Sequence, residues 1–271
     1  MIGIEKINET ASFLQKAGLT DAKIGIVLGT GLGNLVSEIE IEKEIDYQNI
    51  PNFPLSTVEF HSGKLIYGKL GGKQVLAMQG RFHFYEGYSM DEIVFPIRVM
   101  KLLGIEQLFI SNAAGAINKS FKKGDLMLID DHINLQPNAL IGKNYDDLGP
   151  RFPDMSEAYH STLKKAIKET AKSNDITIQE GIYASVPGPM LETAAEYRWI
   201  HTLGGDAVGM STVPEVIAAS HMGIPCVAIS VLTDECDFDD LQPVNIQEII
   251  EVAGKAEKKL TLLFKETIKN L

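Results

Sequence analysis

The feature that most constrains this chain is a series of short apolar runs, each too brief for a helix and each ending in small or polar residues. Ile24-Gly25-Ile26-Val27-Leu28 leads into glycines, Gln74-Val75-Leu76-Ala77-Met78 into Gln79-Gly80-Arg81, and residues 107–111 into Asn112-Ala113-Ala114-Gly115. Residues 125–130, 176–186 and 225–231 follow the same pattern. Such runs predict strands buried on both faces, as in a sheet covered by helices. Between them lie helical spacings. Ile4, Ile7, Ala11 and Leu14 stop at Gly18, residues 91–103 follow a capping box of Ser89 and Glu92, and further helices are predicted over 158–172, 192–203 and 245–270. Pro96 predicts a kink in residues 91–103, or a later start. Alternating strands and helices imply an α/β fold of three layers, α/β/α. A hairpin over 64–69 and 73–78, turning at Gly71-Gly72, makes the twisted sheet mixed rather than all parallel. With no internal repeat, linker or composition break, residues 1–271 read as a single domain.

A formal net charge of −11 argues against nucleic acid and anionic membrane surfaces as partners. No apolar stretch is long enough for a membrane span, and the first residues lack a basic-then-apolar leader, so the expected location is cytoplasmic. Cys226, in an apolar run, reads as a small core hydrophobe and Cys236 as a thiol in an acidic loop. Neither has the spacing of a metal ligand or of a disulfide framework, so no metal is expected.

Candidate functional residues gather at strand ends. In Met78-Gln79-Gly80-Arg81-Phe82-His83-Phe84-Tyr85-Glu86-Gly87, an extended chain would send Arg81, His83 and Tyr85 to one wall. That wall suits an oxyanion beside a polar ring, or is simply a strand end carrying amphipathic residues. Gly29-Thr30-Gly31-Leu32-Gly33 is either a tight turn or a cradle for one phosphate, with Thr30 as a hydroxyl donor. It fails as a dinucleotide fingerprint, because the third glycine would fall at Asn34. Glu192, read in the first turn of its helix, is a capping carboxylate or a ligand contact. The long irregular stretch 135–155 covers a site or builds an interface.

Six segments taken together resemble the trimeric class of purine nucleoside phosphorylases, in that family's order and over residues 20–260. They are the glycine turn at 29–33, Gln79-Gly80-Arg81-Phe82-His83 with Tyr85-Glu86-Gly87, Asn112-Ala113-Ala114-Gly115, Asp131-His132-Ile133-Asn134, Leu191-Glu192-Thr193, and Val208-Gly209-Met210-Ser211-Thr212-Val213-Pro214-Glu215. The resemblance implies reversible phosphate-dependent cleavage of purine ribo- and deoxyribonucleosides (inosine, guanosine and, more tolerantly, adenosine) to free base and ribose 1-phosphate. It implies inorganic phosphate as co-substrate and no cofactor. By the same resemblance Thr30, His61, Arg81, His83, Ala113 and Ser211 bind phosphate. Tyr85 and Met210 meet the ribose, with Phe152 crossing the subunit boundary of a homotrimer. Ala114, Gly115, Leu191, Glu192, Val208 and Asp234 surround the base, and His83, Glu192 and Asp234 serve catalysis.

Three departures stand out. Asp234 stands where many relatives carry Asn, Ile246 where many carry a His near the ribose 5′-hydroxyl, and Leu191 where many carry an aromatic residue. A like charge on Glu192 would raise one of the two carboxyls, letting a protonated Asp234 donate to a 6-oxo group or to N7. The alternatives are a 5′-methylthioadenosine phosphorylase, an oxidoreductase built on residues 29–33, and a silent nucleoside-binding module.

Overall fold

Each of the predicted apolar runs is a strand of one sheet. The computed structural model describes residues 2–29, 32–55 and 63–271. The strands are β1 (Ile24–Leu28), β2 (Glu40–Asp46), β3 (Lys64–Leu70), β4 (Lys73–Gln79), β5 (Gln107–Ala116), β6 (Leu126–Asn134), β7 (Ile178–Ser185), β8 (Ala207–Gly209) and β9 (Cys226–Glu235). The helices are α1 (Ile4–Lys16), α2 (Met90–Leu102), α3 (Ser161–Ser173), α4 (Ala194–Thr202), α5 (Val213–His221) and α6 (Ile246–Lys269).

The strand order is β2-β3-β4-β1-β5-β8-β7-β6-β9, and β9 also pairs with β5. The last five strands therefore close into a ring, from which β1, β4, β3 and β2 extend as an open sheet. β3 and β4 form the antiparallel hairpin, turning through Gly71 and Gly72, both at positive φ. β4, β1, β5 and β9 run parallel, so their carboxyl ends emerge along one edge. That is the edge at which α/β sheets bind ligands.

Burial on both faces explains the continuous apolar runs. In β1, Ile24, Ile26 and Leu28 enter the core beneath α3 and α6, whereas Val27 enters the core shared with α1, α2 and α5. β9 divides in the same way, Val227, Ile229 and Val231 on one face and Cys226, Ala228 and Leu232 on the other. The result is the three-layer α/β/α arrangement around a mixed sheet. A third, small cluster packs Tyr197 and Ile200 of α4 against Val208 and Cys236 beside the ring.

Four local expectations change. β2, Glu-Ile-Glu-Lys-Glu-Ile-Asp, was not legible as a strand because its side chains are mostly exposed; it exists by pairing with β3 at the sheet edge, where charges oppose further pairing. α2 starts at Met90, not later, behind a reciprocal Ser89–Glu92 box, and continues through Pro96. β5 does not stop at Ser111 but runs through the small residues to Ala116, held between β9 and β8. α4 begins at Ala194, capped by Thr193 with Glu196, so Glu192 precedes the helix instead of occupying its first turn. Among the described residues no helix is long and apolar enough to cross a membrane.

Candidate active site

The carboxyl ends of β4, β5, β8 and β9 enclose a cavity of about 380 Å³, closed by residues 189–192 and the start of α6. Arg81, His83, Tyr85, Ala113, Ala114, Gly115, Leu191, Glu192, Val208, Met210, Ser211 and Asp234 all line it. Thr30 and His61 lie outside the described residues.

Arg81 leaves β4 and turns beneath the cavity, where it is only 1% exposed. Its Nη1 donates to Thr212 Oγ1 at 3.0 Å and lies 3.7 Å from Glu215 Oε1, while Nη2 donates to the carbonyls of Val27 (3.2 Å) and Ser111. Both terminal nitrogens are thus tied to the protein. The guanidinium fixes a positive charge in the floor and organises the turn above it. That turn is unusual. Thr212 has φ 71° and ψ −53°, and the Val213 N–H donates to the Ser211 carbonyl at 2.8 Å, the geometry of the rare positive-φ γ-turn. A β-branched residue there is strained. The Thr212 hydroxyl offsets the strain by accepting from Arg81 and, at 2.8 Å, from Asn112 Nδ2, which holds Ser211 at the cavity wall.

His83 and Tyr85 share the expected wall, though not by strand alternation. Phe84–Glu86 is a single tight helical turn, and the two rings stack at 4.7 Å with 17° between planes. Glu86 Oε1 lies 2.9 Å from His83 Nδ1 and accepts from the His83 N–H at 2.8 Å. Burial pushes the Tyr85 hydroxyl up to about 12, so it stays a neutral donor. Gly29 meets this end. A Cβ on Gly29 would stand 2.8 Å from the Cα of Asn112 and 2.9 Å from the Ser111 carbonyl oxygen, so only glycine lets β1 approach β5 so closely.

The far end carries the carboxylates. β5 and β9 shift register between Ala114 and Gly115, pairing Gly115 with Asp234. Asp234 Oδ1 accepts from Thr233 Oγ1 at 3.0 Å and Oδ2 from Cys236 Sγ at 3.1 Å. Burial pushes the Glu192 carboxyl up, and the Asp234 charge adds to that push. Glu192 therefore leans toward its neutral form, chiefly through burial. From Ser111, whose carbonyl Arg81 holds, to Gly115, against which Asp234 packs, β5 advances four residues, about 13 Å. One strand thus separates a cation end from an acidic end.

Ile246 lines the cavity with Ile249 and Ile250, an aliphatic wall from the first turns of α6. Phe152 does not line the cavity. It is 89% exposed, beside Arg151, in a separate concavity with Leu140, Ile141 and Met155. Cys236 lies in the loop after β9, as expected, and is buried there against Asp234, a contact the sequence does not disclose. Sequence reasoning missed it, together with Glu86, Tyr197 and Thr212. For Glu86 a signal existed, the His83-x-x-Glu86 spacing of a capping box; for Tyr197 and Cys236, which meet only in the fold, there was none.

A family model described as the phosphorylase superfamily matches residues 23–269. Purine nucleoside phosphorylase 1 of Geobacillus stearothermophilus is 49% identical over 98% of this chain and 97% of its own length. Isoform 2 of the Schistosoma mansoni purine nucleoside phosphorylase, solved with cytosine and ribose-1-phosphate, superposes with a TM-score of 0.94 at 45% identity, covering 98% of this chain and 96% of that one. A Schistosoma mansoni purine nucleoside phosphorylase solved with adenosine also reaches 0.94, at 40% identity over 99% and 98% of the two chains.

Proposed function

We infer, from a chain that belongs to the purine nucleoside phosphorylases of the phosphorylase superfamily, that this cavity catalyses phosphorolysis of purine nucleosides. The observation that carries the reading to particular residues is the polarity of the cavity, Arg81 at one end and Glu192 with Asp234 at the other, spaced along β5. Phosphate would sit over the Arg81 charge, with the Ser211 hydroxyl, the Ala113 N–H and His83 as donors, joined by Thr30 and His61. Tyr85 and Met210 would flank the ribose. Ala114, Gly115, Leu191 and Val208 would sandwich the base while Glu192 accepts from its N1–H. A phosphate oxygen bonds to the anomeric carbon as the bond to the purine nitrogen breaks. The bonding pair leaves on the base, which takes up a proton, and ribose 1-phosphate remains. The cationic character of the sugar in the transition state is stabilised by the adjacent phosphate, and the growing negative charge of the base by polar contacts at its edge. Phosphate is the co-substrate; the scheme calls for no metal or organic cofactor.

The test is phosphorolysis of inosine, guanosine, adenosine and 5′-methylthioadenosine side by side. Inosine and guanosine are expected to turn over fastest and adenosine measurably; no phosphate-dependent cleavage of any of them would end this reading. The aliphatic wall of Ile246, Ile249 and Ile250 favours one second reading, in which the 5′ position carries an apolar group. The same comparison decides it, since 5′-methylthioadenosine would then exceed inosine.

The assembly is read as a homotrimer in which Phe152 reaches the neighbouring subunit's ribose site. Its support is an aromatic ring left 89% exposed beside an open, largely apolar concavity. Phe152→Ala is expected to lower kcat/KM for inosine about tenfold or more, the scale of one lost aromatic contact, and light scattering on the native protein is expected to give the mass of a trimer. A fully active monomer would contradict this.

A further inference from the structure

Behind the acidic end of the cavity, against Asp234, lies a thiol with no part in the scheme above. Cys236 is 2% exposed, and its Sγ donates to Asp234 Oδ2 at 3.1 Å while Thr233 supplies Oδ1. Oδ2 thus has the thiol as its donor, while Oδ1 shares the Thr233 hydroxyl with the Ala114 carbonyl, 3.3 Å away. Room for the pair comes from Gly115, where a Cβ would stand 2.5 Å from Cys236 Sγ and 3.1 Å from Asp234 Oδ2. The Cys236 N–H donates to the Ala116 carbonyl at 2.8 Å, which fixes the thiol in register with β5. On its other side the buried Tyr197 hydroxyl interacts with both Cys236 and Glu192. Burial, reinforced by the Asp234 charge, pushes the thiol up, so it stays protonated and able to donate.

We propose that Cys236 is a positioning residue that keeps Asp234 an acceptor, with Tyr197 linking it to Glu192, so that the choice between 6-amino and 6-oxo purines is set by the Cys236–Asp234 pair. The inference rests on the cavity being a purine site. A carboxylate held by protein donors keeps its remaining lone pairs in a fixed direction and accepts from a 6-amino group. Without the thiol proton, Oδ2 faces a partly dry pocket with no donor. The carboxyl is then released to turn, and the fixed acceptor that a 6-amino group needs is lost.

The experiment measures kcat/KM for inosine and adenosine in the native enzyme, Cys236→Ala, Cys236→Val and Cys236→Ser, with melting temperatures for each. The Ala and Val variants are expected to raise the inosine-to-adenosine ratio about three- to tenfold, the range of one polar contact. Cys236→Ser, whose hydroxyl donates in place of the thiol, is expected to return it toward the native value. The Val variant, which fills the space without donating, carries the test if the Ala variant does not fold. An unchanged ratio in a folded variant overturns the role of Cys236, as does a shift that Ser fails to reverse. A native enzyme that cleaves neither nucleoside would instead overturn the reading of the cavity.

Discussion

Arg81→Ala is expected to abolish most activity and to lower the melting temperature together. The guanidinium is the only cation against Glu215 among the described ion pairs, and Glu215 is itself 3% exposed. Removing one partner of such a pair leaves an uncompensated buried charge, a loss of about 3–5 kcal/mol. Against a total stability of about 5–15 kcal/mol that is a large fraction, about 10 °C in melting temperature for a chain of this size. The same deletion leaves Thr212 Oγ1 with Asn112 Nδ2 as its donor and removes the guanidinium from the carbonyls of Val27 and Ser111, so the strained turn that presents Ser211 keeps only half of its clamp. The apparent affinity for phosphate is expected to fall at least about tenfold, since a fixed charge in a closed site is lost along with its geometry. Arg81→Lys keeps the charge without the planar fork, and is expected to fold better yet bind phosphate poorly. Native phosphate affinity in either variant would show that the phosphate is held elsewhere.

Asp234→Asn is expected to shift the inosine-to-adenosine ratio of kcat/KM toward inosine by about tenfold or more, the scale on which a site rejects a mismatched polar group. Asp234 accepts from Thr233 and Cys236, so as an ionised group it can only accept from the base as well. That suits a 6-amino group or a proton on N7 and opposes a 6-oxo oxygen. An amide in its place donates to the 6-oxo oxygen through its nitrogen. One of the two protein donors then faces an N–H instead of an acceptor, which predicts a stability loss of about 1 kcal/mol. Parallel kinetics on the two nucleosides with a thermal melt check both parts; an unaltered ratio would mean that position 234 does not read the 6-position.

Much of this was legible in the sequence because burial on both faces leaves a plain mark. The strands at 24–28, 64–70 and 73–79 are continuous apolar runs or hairpin arms, and their boundaries differ little from expectation, whereas the run at 225–231 continues as β9 to Glu235. β2 left no such mark, since an exposed edge strand is specified by its partner. The second half of β5 was equally opaque. Asn112, Ala113, Ala114 and Gly115 have the composition of a turn, and only β9 and β8 on either side hold them extended. At the site, Arg81, His83 and Tyr85 stood out as chemistry-bearing types in one segment, but the turn at Phe84–Glu86, not strand alternation, brings the last two together. The contacts of Cys236 with Asp234 and Tyr197 left no mark, because the irregular pairing beside them joins two distant strands and Tyr197 comes from a separate helix.

The central claim, phosphorolysis in the cavity at the ends of β4, β5 and β9, is tested most directly by incubating the native enzyme with inosine in the presence and absence of inorganic phosphate and identifying both products. The account predicts hypoxanthine and ribose 1-phosphate in equal amounts, formed only with phosphate present. Release of free ribose at the same rate without phosphate, or no release of hypoxanthine at all, would contradict it.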